Sequence, residues 1–168
     1  MIETIPSVSG VRDFDFLLGT RTIHNRRLRQ RLAGCDEWDE FEATCVARPI
    51  LNGMGNAEEF RTDWGGGIVG YSLRLFEPRT KQWYIYRTDT RRSGELEPPV
   101  VGSFSSGAGI FEGPDVFEGR PVRVRYSWLD VHTHEPRWEQ ALSDDGGITW
   151  ETNWVAISAP LDDDDLAA

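Results

Sequence analysis

Two side chains suited to proton transfer or ligand capture lie close together early in the chain, His24 and Arg26, within the stretch Thr20 to Leu28. Under the period-two alternation of a β-strand they share a face with Thr20, Thr22 and Leu28. A histidine there, with a reference pKa of about 6.5, can act as general base or hold a ligand by a hydrogen bond. Beside it, Arg26 would meet an acidic or carbonyl group. A structural or surface histidine is the alternative, and the choice turns on whether this face is internal. In the next segment Trp38, Glu40 and Glu42 share one face, with Glu37, Asp39, Phe41 and Ala43 on the other. Glu40, if buried, would supply a second acid–base group; if exposed, it belongs to the surface of an acidic protein.

Later segments mix aromatic and polar residues on both faces. Tyr71, Leu73 and Leu75 alternate with Ser72, Arg74 and Phe76, and Trp83, Ile85 and Arg87 alternate with Tyr84 and Tyr86. Arg74, Trp83 and Tyr86 are therefore candidate ligand contacts, although alternation alone does not fix which face is internal. Near the C-terminus Trp138 and Gln140 lie together, as do Trp150 and Trp154, with Asn153 opposite. Tryptophans at this density form a core, or wall a cavity that suits a flat aromatic guest. No GxSxG, Walker or HExxH motif occurs, nor a nucleotide-binding GxGxxG placed between a strand and a helix, and no cofactor is implied. Gly65-Gly66-Gly67 precedes a strand rather than a helix, which suits a hairpin loop better than a phosphate cradle. His132 and His134 fall in a polar connector without the further ligands a zinc site needs.

The elements that must position these residues are strands. From Thr20 onward, short runs of β-branched and aromatic residues are separated by Gly, Pro, Asn and Asp at hairpin spacing. Ten strands are predicted, at 20–32, 37–51, 56–62, 67–76, 82–89, 100–105, 109–116, 121–131, 137–143 and 149–157. Turn chemistry at 77–80, 117–120 and 144–147 makes sequence neighbours spatial neighbours. The one helical candidate is Val11 to Leu18, where Phe14, Leu17 and Leu18 could plug one end of a barrel before Gly19 ends the turn. No other helix is available to cover an open sheet, so closure into an all-β, antiparallel up-and-down barrel is expected, with a two-sheet sandwich as the alternative.

With 168 residues, 39% of them hydrophobic and seven of them tryptophan, the chain suits one folded domain, placed at residues 1–158. The run Asp162 to Asp165 reads as a disordered acidic tail at 159–168. A net charge of −10 disfavours nucleic-acid binding. Arg21, Arg26, Arg27, Arg29 and Arg31 nevertheless crowd one segment, either as a solvated face or with one or two pointing inward at an anionic ligand. No apolar run is long enough for a membrane span, and no basic-then-apolar leader opens the chain. Cys35 and Cys45 lack CxxC spacing and read as reduced thiols of a cytoplasmic protein, a bridge being the alternative.

Several segments together resemble DUF1579, a bacterial family of calycin-like proteins related to lipocalins and fatty-acid-binding proteins. They are Phe14 to Gly19, His24 to Leu28, Arg48 to Asn56, Ser72 to Phe76, Arg137 to Ala141 and Asp145 to Glu151. The resemblance runs from about Phe14 to Ile157 and implies a ligand-sized barrel, with pocket positions at His24, Arg26, Asn56, Arg74, Trp138, Gln140 and Asn153. Arg21 stands where such proteins often carry tryptophan, which implies different packing at the barrel base.

Three functions follow. The first is a binding module for a small apolar or aromatic molecule with an acidic or carbonyl group, contacted by Arg26, Trp38, Asn56, Arg74, Trp83, Tyr86, Trp138, Gln140 and Asn153. A haem held by His24 is a narrower form of it. The second is a cofactor-independent cyclase, isomerase or hydratase acting on a polyketide-like or other hydrophobic substrate through His24 or Glu40. The third is an interaction role without ligand; an unpaired barrel seam would allow a homodimer.

Overall fold

The computed structural model describes residues 10–161. The β-branched and aromatic segments form ten strands: β1 (Gly19–Leu28), β2 (Trp38–Ile50), β3 (Gly55–Thr62), β4 (Ile68–Glu77), β5 (Gln82–Asp89), β6 (Val100–Ser105), β7 (Ala108–Phe117), β8 (Arg120–Leu129), β9 (Arg137–Ser143) and β10 (Glu151–Pro160). Each strand pairs antiparallel with its neighbour in sequence, and β10 returns to β1 from Arg21↔Pro160 to Arg27↔Trp154. The sheet is thus a closed barrel rather than a sandwich, with no exposed edge to template aggregation. β10 runs two residues past the expected domain end at 158, while the acidic run 162–165 lies outside the described residues.

Local chemistry sets the turns. Glu118 and Gly119 both take positive φ, 48° and 76°, the geometry that matches a two-residue hairpin to the right-handed twist of β7 and β8. Gly102 permits a close approach within the sheet, because a Cβ there would meet the Ile110 carbonyl oxygen of β7 at 1.8 Å. β1 is shorter than the sequence suggests. Its hairpin to β2 closes where the Arg29 N–H donates to the Glu37 carbonyl, and Leu32 in the connecting loop adopts a positive φ of 53°.

The segment expected to be a helix at Val11 to Leu18 is a series of turns with one 3-10 turn at Asp15–Leu17. It still plugs the barrel. Phe14 is 1% exposed and meets Trp83, Phe104 and Trp128 edge-on, at centroid distances of 5.0, 4.9 and 4.9 Å. The Trp83 indole N–H donates to the Gly10 carbonyl and ties the plug to β5.

Large and small side chains are unevenly distributed around the interior. Phe76, Trp83, Val100, Phe111, Tyr126, Trp128 and Leu142, from β4 to β9, fill one side with the plug. On β1, β2 and β10 a second cluster of buried apolar residues consists of Ile23, Ala43, Cys45 and Ala156. Close packing on one side and small side chains on the other leave space inside the barrel.

Two predictions follow from this framework. Phe14→Ala should lower unfolding free energy by about 3–5 kcal/mol in urea titration, because no other residue fills the aromatic cage around the plug. In the β9–β10 hairpin, Asp145 accepts from the Thr149 hydroxyl and backbone N–H, the Ile148 N–H and the Ser143 hydroxyl. These bonds, the Thr149 hydroxyl foremost, hold its carboxyl well below the usual range. A depressed folded pKa gives stability that is present above the unfolded value of about 4 and lost as pH falls. The stability gap between the protein and Asp145→Asn, read from urea midpoints, should therefore be full near neutrality and shrink below about pH 4.

Candidate functional site

Orientation of β1 and β2 decides what the interior offers. Phe41, Ala43, Cys45 and Ala47 form the apolar period-two run of β2, and burial requires that run to face inward. Cross-strand register then places Ile23 opposite Ala43 and Arg21 opposite Cys45 on the same face. Arg21, Ile23 and Asn25 consequently face the lumen, and His24 and Arg26 face out. His24 is 45% exposed, with Nδ1 2.5 Å from a Glu42 carboxylate oxygen and Nε2 3.8 Å from Glu40. Arg26 lies 3.4 Å from Glu40 and stacks on Trp38. This is a charge ladder on the outer wall, of the kind that stabilises paired strands modestly.

Inside the barrel is a cavity of about 90 Å3, partly open to solvent. A water-sized site needs only about 10–15 Å3 on this scale, so the space suits a compact ring with a substituent rather than a long chain. Its wall includes Ile23, Cys45, Phe60, Gly70, Ile85, Trp128, Trp138, Trp154 and Ala156, and its polar groups include Arg21, Asn25, Glu58, Arg74, Arg87 and Tyr126.

Three guanidiniums therefore share the lumen with one carboxylate. Arg74 is 3% exposed; Nη1 donates to Asn56 Oδ1 at 2.8 Å and Nη2 to Glu58 Oε1 at 3.0 Å, while its buried Nε has no partner. Its plane lies over Phe14 and Trp128, linking the cavity to the plug. Arg21 is buried, which lowers its pKa, and donates to Ser158 Oγ at 2.5 Å and to the Phe16 carbonyl at 3.1 Å. This is how arginine is accommodated at the barrel base. Arg87 donates to the Tyr126 hydroxyl at 3.0 Å and is flanked by the rings of Tyr126, Trp138 and Trp154 at 5.4, 5.6 and 5.7 Å. Among the described residues neither Arg21 nor Arg87 forms an ion pair; hydrogen bonds to neutral groups and ring faces hold both cations. Burial raises the Tyr126 pKa and keeps it protonated, so its O–H can still donate.

The sequence candidates divide accordingly. Arg74 and Trp138 line the cavity, and Asn56 braces Arg74 from behind. Gln140 and Asn153 are buried together, with Gln140 Nε2 donating to Asn153 Oδ1 at 2.8 Å, but neither lines the cavity. Asn153 was expected opposite Trp154; instead a register shift between Thr152 and Trp154 breaks the alternation, so Asn153 is fully buried while Trp154 reaches the cavity. Trp83 faces inward into the plug rather than the cavity. Tyr86 lies on the opposite face of β5 from Ile85 and Arg87, away from the lumen. His24, Arg26, Trp38 and Glu40 stand on the outer wall, so their candidacy as cavity residues is corrected, and His24 is not placed to ligate a haem inside.

Residues the candidate set missed are Arg21, Asn25, Glu58, Arg87, Tyr126 and Trp154. The signal for the first two was the apolar run Phe41, Ala43, Cys45, Ala47, which fixes the inward face of β2 and, through pairing, of β1. Gly65, Gly66 and Gly67, all at positive φ, form the β3–β4 connection as expected. Both cysteines are free, and no helix among the described residues is long and apolar enough to cross a membrane.

Neither a scan of protein-family models nor a search of curated proteins finds a match to this chain.

Burial, the largest effect, pushes the Cys45 thiol up, with Glu58 adding to it, while Cys35 is only half-buried. Titration with a disulfide reagent near pH 8 should accordingly modify one thiol rapidly in the native protein and the second only on unfolding.

Proposed function

We propose that the protein binds, within its barrel, a small apolar or aromatic molecule carrying an acidic or carbonyl group. The observation that carries this reading is Arg87, a lumen guanidinium with no ion-pair partner among the described residues, set between three aromatic rings and beside a hydroxyl that can still donate. Arg87 is half-buried, with Tyr126, Glu97 and Glu58 near enough to raise its pKa but neither carboxylate paired with it. A partly desolvated cation gains from a direct anion, and planar guanidinium and phenol donors suit a carboxylate. The walls of Trp128, Trp138 and Trp154 suit the apolar body of the same molecule. The competing cyclase, isomerase or hydratase reading relied on His24 and Glu40, which stand outside the cavity, and the lumen carboxylate Glu58 is engaged by Arg74. Binding without conversion is therefore the better-supported reading. Membership of the DUF1579 proteins belongs to the same proposal, supported by the motif set and the closed barrel. A cytoplasmic setting is proposed on the two free thiols.

Tryptophan fluorescence tests the proposal, since three indoles wall the cavity. Benzoate should quench saturably at one site, and benzylamine, of similar shape and opposite charge, should not. Arg87→Met should weaken benzoate binding by about 10- to 100-fold, the range for loss of a charge-assisted hydrogen bond. Ala156→Leu should fill the cavity and abolish binding while near-ultraviolet circular dichroism stays native. Equal binding of amine and acid, or unchanged binding in both variants, would overturn the reading.

A further inference from the structure

The cavity's cationic character continues toward the end of the barrel where β1 finishes and β10 begins. Arg27 lies over Trp154 at 4.7 Å and over Trp64 at 5.0 Å, and Trp64 stacks on Phe41 at 4.6 Å. Arg31, in the loop after β1, lies over Phe117 at 4.7 Å. Arg91 at the same end is paired with Asp89, and Arg92 with Glu97. Arg27 and Arg31, by contrast, form no ion pair among the described residues; each rests on an aromatic face. Burial, then the neighbouring charges of Arg31, Arg91 and Arg87, brings the Arg27 pKa down to about 10, with Asp89 acting in the opposite direction. Arg27 therefore stays charged at neutral pH in a field of like charges. Asp115 and Glu118 favour the charged form of Arg31 without pairing with it among the described residues, and in a protein of net charge −10 two unpaired cations at one end of the barrel call for a binding explanation.

Trp154 connects this end with the lumen. The Arg27 and Arg87 guanidinium carbons are 4.7 and 5.7 Å from the centroid of that one indole, so no more than about 10.5 Å separates them. A separation within that limit is compatible with two anionic groups on a single aromatic frame.

We propose that Arg27 and Arg31 form a second, outer anion subsite at this end of the barrel, so that the ligand is an aromatic dianion with one acidic group on Arg87 inside and another on Arg27 and Arg31. This rests on the binding reading above and specifies the ligand class. Carboxylate, sulfonate and phosphate share the chemistry that the outer pair recognises, and the test uses carboxylates to isolate the effect of charge.

The experiment compares benzoate, terephthalate, monomethyl terephthalate and 4-carboxyphenylacetate by calorimetry at about 0.15 M ionic strength, where distant charges are screened. The methyl ester matches terephthalate in shape but has one charge, and 4-carboxyphenylacetate lengthens the span between acids. At least one dianion should bind about 10-fold or more tightly than the ester. Arg27→Met with Arg31→Gln should remove that preference and leave benzoate affinity within about twofold, and Arg31→Gln alone should reduce it in part. If benzoate binds but neither dianion outbinds the ester, the outer subsite is refuted and the lumen reading stands. If no acid binds at all, the lumen reading fails and the subsite falls with it. Native near-ultraviolet circular dichroism of both the double variant and Arg31→Gln guards against misreading a folding defect as loss of the subsite.

Discussion

A strand has two faces, and closing ten strands into a ring commits one face of every strand to the lumen. The decision is collective. Pairing of β1 with β2 puts Arg21 opposite Cys45, Ile23 opposite Ala43 and His24 opposite Glu42, so the small apolar residues of β2 choose the inward face for both strands at once. The same choice sends His24, Arg26, Glu40 and Glu42 to the outer wall as a ladder of polar side chains in mutual contact. A one-residue slip would bury that ladder and expose Asn25 and Arg21, and pairing to β10 on the other side of β1 resists such a slip.

Volume then determines where the space lies. The barrel takes its plug, Phe14, against the bulky interior of β5 to β8, while Ala43, Cys45 and Ala156 on the other side leave room. Arg74 stands at the junction, braced by Asn56 and Glu58 and packed over Phe14, so plug and cavity share a residue. The wall between is a run of indoles from Trp128 through Trp138 to Trp154, with guanidiniums against their faces. Arginine suits such positions because its weakly hydrated plane can stack on a ring and still offer donors at its edge. The donors that remain are what a ligand would meet.

Most of the fold was legible because turn residues and β-branched runs punctuate the chain at strand length, and an all-strand chain of this size has few ways to hide its edges. Strand faces were less legible. On β1 the His24 and Arg26 face also carries Leu28, which is buried at the strand's end, so β1 alone leaves its inward face open, whereas the uninterrupted apolar alternation of β2 decides it through pairing. Asn153 and Trp154 could not be read from alternation at all, since a bulge turns both toward the interior. Arg87 was placed correctly on the face of Trp83 and Ile85, but its lack of an ion-pair partner is a property of ten strands together. The expected helix at the N-terminus failed as a helix and held as a plug, because Phe14 and Leu17 need only be adjacent in space to close the end of the barrel.

The central claim is that an anion belongs against Arg87 inside the barrel. A crystal structure with 4-bromobenzoate tests this most directly, because anomalous scattering from bromine locates the ring independently of any fitted pose. The account predicts a bromine peak in the lumen beside Trp138 and Trp154, with the carboxylate about 3 Å from the Arg87 guanidinium. A lumen that stays empty at saturating ligand, or a peak on the outer wall beside Arg26, would contradict it.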